Sequence, residues 1–439
     1  MAMRRVRRYR LWFCALAVCF LCGSAVAAEH RVTGDGAALT AAVAAAAAGD
    51  TLVIEPGLYR VNLVLDKPVI LQGTDGAMLD GGGEGDVIRV RAPDVTVRHL
   101  TIQRSGVNLT KMNSGIFVER SAARVRIEDN FLDQNGFGIW LDTCEDAKVY
   151  RNRIHGTPDL RSQDRGNGIH LFNVKGADVA GNEIWEARDG IYIDTSNGNV
   201  LRDNHIHHLR YGIHYMYSHH NQVIGNRSHD NRTGYALMQS NNLTVIGNSS
   251  ERDGNYGILM NYITHSRIEN NIVRSVASGR GFITGGEKIP GAEGKAIFIY
   301  NSLYNDIRGN LFADSEIGIH LTAGSEDNTI TGNAFVGNHT QVKYVANREQ
   351  EWSREGRGNF WSDYLGWDLN ADGVGDRPYE PNDGVDKLLW KYPLARMLMN
   401  SPAVETLRWV QVQFPVLKPP GVRDSAPLMK APATPSEEG

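Results

Sequence analysis

Imidazole and thioether side chains crowd one stretch of this chain. Seven of the 14 histidines fall between His205 and His229, and Met216, Met238 and Met260 recur at intervals of 22 residues. Neutral nitrogen and sulfur donors suit Cu(I), and a site built from them can release a soft ion without large rearrangement. Whether these residues meet depends on what a spacing of 22 means in space. If 22 residues close one coil, residues 22 apart lie one above the other. Met216 and Met238 each stand four residues after a glycine, so they are expected as outward neighbours on adjacent coils. Met260 stands three after Gly257 and is expected in the core. His214, two after Gly212, should share the outer face with Met216. His207 and His229 each follow an asparagine by three and should stack, while His219 and His220 fall in the turn after Met216. Copper ligands are therefore expected among His214, Met216, Met238, His207, His229, His219 and His220. Cys144 reads as a packed thiol in a turn.

A second constellation is richer in oxygen. Asp368, Asn370, Asp372, the carbonyl of Val374 and Asp376 occupy the ligand positions of a calcium loop, with Gly373 at the turn. Tyr379 stands where the last acid is expected, and closure by Asp/Asn side-chain hydrogen bonds is the competing reading. Calcium, if bound, would pin the C-terminal segment. No nucleophile elbow, phosphate loop or Cys-x-x-Cys motif occurs. Asp142, Asp189 and Asp194 are carboxylates of the kind glycoside hydrolysis needs, but the sequence does not group them with an Arg, Lys or His, so they read as scattered turn residues. The expectation is a binding protein without turnover. The alternative is a carbohydrate-active β-helix enzyme, namely a polysaccharide lyase, hydrolase or epimerase.

The elements that must position these groups follow from an internal repeat. A Gly-Ile-x-aliphatic strand recurs at Gly115, Gly138, Gly168, Gly190, Gly212, Gly257 and Gly318, with Gly234-Tyr235 as a variant. About 14 residues later comes aliphatic-x-x-Asn, at Asn130, Asn152, Asn182, Asn204, Asn226, Asn248, Asn271, Asn310 and Asn333. Short strands alternate inward and outward, and one alone cannot bury its apolar face; stacked copies about 4.8 Å apart can. The repeat predicts an all-β fold, a single-stranded right-handed parallel β-helix of roughly a dozen coils, with an N-terminal capping helix over Leu39 to Ala48 and a C-terminal extension. The asparagines are expected to adopt the left-handed conformation and to hydrogen-bond from coil to coil. Two long spacings predict loops at Thr157 to Arg165 and Ser278 to Glu293.

The ends have a different composition. Five arginines, an apolar run from Leu11 to Leu21 and Ala25-Val26-Ala27 read as a secretory signal peptide over 1–27. Its removal takes the net charge from −4 to −9, because five arginines and no acids leave. An acidic body argues against nucleic acid. Three of the four cysteines leave too, so Cys144 has no disulfide partner. The remaining segments are predicted as β-helix over 28–348, an Asp/Gly/aromatic-rich segment over 349–392, an amphipathic docking helix over 393–414 and a disordered tail over 415–439. The helix carries Leu394, Met397, Leu398, Val404, Leu407 and Val410 at helical intervals, with Trp409 and Phe414 as further apolar bulk. An apolar helix beyond a capped rod needs a surface to dock on.

The repeats, the run Asn359-Phe-Trp-Ser-Asp-Tyr-Leu-Gly-Trp-Asp-Leu-Asn-Ala-Asp-Gly-Val-Gly-Asp-Arg-Pro-Tyr379, Pro381-Asn382-Asp383-Gly384 and Tyr392-Pro-Leu-Ala-Arg396 resemble the NosD family, over nearly the whole mature chain. The resemblance implies a periplasmic copper-binding accessory protein of nitrous oxide reductase maturation. It implies an ABC transporter permease and its ATPase as partners, a copper chaperone as donor and apo nitrous oxide reductase as recipient. The chain would then be peripheral to the membrane, held through its permease, with Leu394 to Phe414 as the docking element.

Overall fold

The computed structural model describes residues 27–279, 293–346, 348–381, 401–413 and 420–433. Three short strands per coil stack into three long parallel sheets. The first sheet has 13 strands, from Glu29–Val32 to Thr329–Thr331; the second has 12, from Leu63–Leu65 to Thr340–Val345; the third has 13, from Gly57–Arg60 to Phe360–Trp361. Alternation within each strand fills the interior: Ile191, Ile213, Tyr235, Ile258 and Ile297 lie one above another, all buried. Met260 is fully buried in that core, as its position after Gly257 requires. The glycine that opens these strands sits where a side chain has no room. A Cβ on Gly190 would lie 2.4 Å from Cγ2 of Ile206 and 2.5 Å from the Gly212 carbonyl oxygen.

Registration comes from the asparagines. Asn204 donates its backbone N–H and its amide to Oδ1 of Asn226, at 3.1 and 2.8 Å. Asn226 repeats the pattern onto Asn248, at 2.9 and 2.9 Å, and also donates to the Leu201 carbonyl. The ladder runs unbroken across both long spacings, from Asn152 to Asn182 and from Asn271 to Asn310. It also extends beyond the expected end. Asn333 donates to Asn359, and the Asn359 N–H to Asp424. The left-handed residue is not the asparagine but the one before it: Asp203, Gly225 and Gly247 have φ of 55, 62 and 67°. A kink placed one residue earlier lets the asparagine amide point inward while its N–H faces the next coil.

Four boundaries differ from expectation. The capping helix is Gly36–Ala45, earlier than read, because Asp35 accepts from the Ala38 N–H and fixes its start. The stacked sheets continue past 348, since Phe360–Trp361 pairs with Ala334–Val336. Residues 420–433, assigned by composition to a disordered tail, are ordered. Val422–Arg423 pairs with Gln350–Glu351, and Asp424 is fully buried, accepting from the Asn359 N–H and from Nε1 of Trp361. The open core ends under stacked aromatics: Trp361 lies 4.4 Å from Phe335 and 4.5 Å from Tyr379. The C-terminal helix is Pro402–Gln413, beginning where proline's missing N–H costs nothing. Leu394, Met397, Leu398, Phe414, the signal segment 1–26 and most of the 278–293 loop lie outside the described residues. The 157–165 loop is held by Arg165, which donates to the carbonyls of Leu160, Pro158 and Glu186.

Each rung leaves buried donors stranded if its acceptor is removed. Asn226→Ala should lower unfolding stability by on the order of 3 kcal/mol, read by denaturant melts, with no change in copper affinity. A loss below about 1 kcal/mol would show that the ladder does not hold the coils.

Candidate metal centre

The histidine-rich zone divides between two faces of the rod. On the third sheet, Glu183–Trp185, His205–His207 and Arg227–His229 are consecutive strands in register. Their middle residues, Ile184, Ile206 and Ser228, are buried inside. The flanking residues therefore point outward in two columns, Glu183-His205-Arg227 and Trp185-His207-His229.

Four rings meet there. His207 and His229 stack face to face, with centroids 4.9 Å apart and planes at 6°. His205 Nε2 lies 2.8 Å from His229 Nε2, a diagonal pairing across adjacent coils. His207 Nδ1 lies 2.7 Å from Nδ1 of His208, in the turn beyond. Glu183 Oε1 is 4.0 Å from His205 Nδ1 and 3.9 Å from His207 Nε2. Ligand atoms of Glu183, His205 and His207 all lie within 4.8 Å of one another.

Burial favours the neutral form of two of these rings, His205 and His207. His229 donates Nδ1–H to Asp230 at 2.7 Å, and Arg252 holds Asp230 from the far side. Burial raises the Asp230 carboxyl, but bonds from Arg252 and His229 outweigh it and leave it below the usual range. That bond fixes the His229 ring with Nε2 toward His205, an orientation typical of histidines backed by a carboxylate in metal sites. Burial, then the neighbouring His205, His229 and His208, push His207 down to about 4. Burial and His229 also lower His205. With His205 at 39% side-chain exposure, the cluster stays open to an incoming ion. Metal–nitrogen bonds of about 2.0 Å would require His205 and His229 to part by about half an ångström.

His214, Met216 and Met238 belong to the second sheet, on a different face. Met216 continues the column of Asp194, and Met238 stands beside Asn261; both methionines are half-buried. His214 does not turn toward Met216. It donates Nδ1–H to Asp189 at 3.0 Å, between the rings of Tyr192 and Tyr211. Asp189 is not a scattered turn carboxylate: fully buried, it also takes two bonds from Arg210, at 2.8 and 2.6 Å. Burial raises its carboxyl, but the bonds from His214 and Arg210 more than reverse this. His219 and His220 sit in the following turn, with the His219 ring accepting from the Asn241 N–H. Seven candidate ligands thus do not form one site. His205 and Glu183, which are not among the expected ligands, join the cluster to which His207 and His229 belong.

Cys144 is a buried core thiol that burial pushes up to about 12, and it packs in the core away from the histidine cluster. In the Asp368–Asp376 loop the carboxylates bind the loop's own backbone. Asp368 accepts from the N–H groups of Asp372 and Gly373, Asp372 from Val374, and Asp376 from Leu369. These hydrogen bonds close the turn, and Gly375 and Gly373 fasten it to Pro427 and Met429.

A ring held neutral in the fold but protonated when unfolded makes stability fall with acid. The folded value of His207, about 4, lies below its unfolded value, so its contribution is complete above the unfolded value and is lost as pH falls toward 4. NMR titration of the His207 ring should find a midpoint near 4; a midpoint near 6.5 would mean the cluster is solvated and loose.

Known proteins resemble this chain in sequence and in fold. Residues 151–366 match the family described as periplasmic copper-binding protein (NosD). A probable ABC transporter binding protein NosD of Pseudomonas aeruginosa is 60% identical over 377 residues, covering 86% of this chain and 87% of that protein. Its namesake in Stutzerimonas stutzeri is 58% identical, covering 86% of each. Among solved structures, the A-module of the Azotobacter vinelandii mannuronan C-5 epimerase AlgE6 aligns with a TM-score of 0.57 at 18% identity, over 72% of this chain and 94% of that one. A family 28 exopolygalacturonase of Yersinia enterocolitica aligns at 0.53 and 12% identity, over 73% and 78%. Those two likenesses are of fold alone.

Proposed function

This chain belongs to the NosD family of periplasmic copper-binding proteins, and from that premise we propose that it carries copper as cargo on the outer face of its third sheet. The observation that carries the reading is the cluster in which ligand atoms of Glu183, His205 and His207 lie within 4.8 Å of one another, with His229 Nε2 2.8 Å from His205 Nε2. Imidazole suits copper in either oxidation state, and rings kept neutral need shed no proton to bind. In the loaded site, His205 would turn its Nδ1–H toward Glu183 as His229 already turns its own toward Asp230. Both Nε2 atoms then face the ion. The expected Cu(I) cargo needs no thioether here, since Met216 and Met238 stand on another sheet. The chain takes the ion from a copper chaperone and passes it to apo nitrous oxide reductase, after a signal peptide ending at Ala27 has been cleaved. It does so without turnover of its own.

A chelator competition on the mature chain, under reducing and oxidising conditions, tests this. The His205→Gln/His207→Gln/His229→Gln variant should lose copper affinity by at least about tenfold. The His214→Gln/Met216→Leu/Met238→Leu variant should keep it; the reverse pattern would move the site to the second sheet.

The C-terminal helix is the proposed contact with the ABC transporter, through its permease and so to its ATPase. Val404 and Val410 are half-buried, whereas Leu407 and Trp409 are 48 and 61% exposed. Among the described residues no helix is long and apolar enough to span a membrane. The chain leaves the rod near Tyr379 and returns at Asp424, and these two residues bond each other's backbone at 2.9 Å. The excursion carrying the helix is therefore anchored at both ends. Truncating the chain before it would also remove Asp424 and open the core. Leu407→Glu/Trp409→Glu avoids that: it should abolish co-purification with the permease while leaving the β-sheet circular dichroism unchanged. A complex that survives the double substitution would reject the helix as the docking element.

A further inference from the structure

The histidine cluster of the third sheet contains two nitrogen pairs, and an ion between His205 and His229 uses only one of them. His205 Nε2 faces His229 Nε2 at 2.8 Å, and His207 Nδ1 faces Nδ1 of His208 at 2.7 Å. The pairs are neighbours, because the His207 ring lies face to face with that of His229 at 4.9 Å. A hydrogen bond between two imidazoles needs a proton on one of the facing nitrogens. Moving that proton to the far side of its ring leaves two lone pairs aimed at one point.

The carboxylates repeat the division. Asp230 lies 2.7 Å from Nδ1 of His229, and Glu183 lies 4.0 Å from His205 Nδ1 and 3.9 Å from His207 Nε2. Three of the rings therefore have a carboxylate at one nitrogen and another imidazole at the other. An N–H turned toward a carboxylate frees the opposite nitrogen for a metal. Arg153 bonds Glu183 at 2.8 Å and holds its carboxyl below the usual range, so it stays an acceptor.

His208 owes its place to the backbone. A φ of 58° puts it in the left-handed turn after His205–His207 and swings its ring onto His207, with planes at 83° and centroids 5.0 Å apart. Rings set at such an angle can meet nitrogen to nitrogen. The stacked rings of His207 and His229 have planes at 6° and cannot aim their nitrogens at a common ion. All four rings stand on the outer face of the sheet. Side-chain exposure is 39, 15 and 14% for His205, His207 and His229, and His208 is half-buried, so an ion reaches them without opening the core.

Resting on the reading of this cluster as a copper site, we propose that it is binuclear, with one Cu(I) between His205 Nε2 and His229 Nε2 and a second between His207 Nδ1 and His208 Nδ1. Imidazole suits copper, and two such donors satisfy a monovalent d10 ion. Two cations on neighbouring rings repel. The second ion therefore binds more weakly than the first and is the first to be passed on.

Anaerobic Cu(I) titration of the mature full-length chain against bicinchoninate, a chromogenic Cu(I) chelator, counts the ions. The parent should take up two, in separate steps. His208→Asn, a substitution that tolerates the left-handed turn, should take up one. His205→Gln/His229→Gln should also keep one, and the three substitutions together should leave none. Thermal midpoints check that each variant folds. The parent alone gives an independent readout by NMR: the His208 Nδ1 resonance should move only in the second step. A parent that binds a single ion, indifferent to His208→Asn, overturns the second position and leaves the copper reading intact. A chain that binds no copper, or whose copper binding survives the combined substitutions, overturns both.

Discussion

The carboxamide ladder is the constraint on which the rest of the molecule depends. Parallel strands alone could slip along one another, and a slip of one residue would turn every core side chain outward. A buried asparagine that must accept two bonds from the coil before it and donate two of its own has only one satisfactory register. The spacing between rungs can then vary freely. Thirty residues separate Asn152 from Asn182 and 39 separate Asn271 from Asn310, yet those bonds remain at 2.9 to 3.0 Å. Extra chain is pushed outward as loops, and the columns on either side stay aligned. The ladder converts a period in sequence into columns of side chains in space.

That conversion explains which features could be read from the residues. Fold, the burial of Met260 and the stacking of His207 on His229 all follow from vertical neighbours 22 apart. The rest of the centre depends on diagonals. His205 meets His229 across 24 residues, and Arg210 and His214 meet Asp189 across 21 and 25. A rule that tracks one column cannot see contacts between columns, so His205 was passed over and Asp189 looked solitary. Glu183 escaped for another reason. It lies 22 below His205, but a single carboxylate among polar outward residues has no signal until the rings above it are placed. At the C-terminal end the rungs are supplied at irregular distances. Asn359 follows Asn333 by 26 residues, and Asp424 arrives 65 later from beyond the helix. Composition marked that stretch as unstructured because it is rich in proline and charge, although its few buried residues close the rod.

The division of histidine and methionine between two sheets changes what the metal chemistry can be. A mixed nitrogen and sulfur site would have favoured Cu(I) by softness. The third-sheet cluster offers nitrogen and a carboxylate instead, and its tuning lies in protonation. Burial first, and then the repulsion between protons on crowded imidazoles, holds His207 down at about 4. Asp230 at Nδ1 of His229 then turns that ring's Nε2 toward His205. In the proposed copper site one ring, His205, keeps access to solvent, which suits capture of an incoming ion.

Closure by Asp424 carries a mechanical consequence. Its carboxylate takes the last rung of the ladder and the indole N–H of Trp361 at once, while its backbone pairs with Tyr379. Burial holds that carboxyl above its ordinary range, against the bonds from Asn359, Trp361 and Ala426 that pull it down. The rod and the helical excursion therefore share one anchor, fixed to the aromatic cap rather than to a free tail. Displacing Asp424 would therefore break the last rung of the ladder and the bond to the aromatic cap together, opening the core at Trp361.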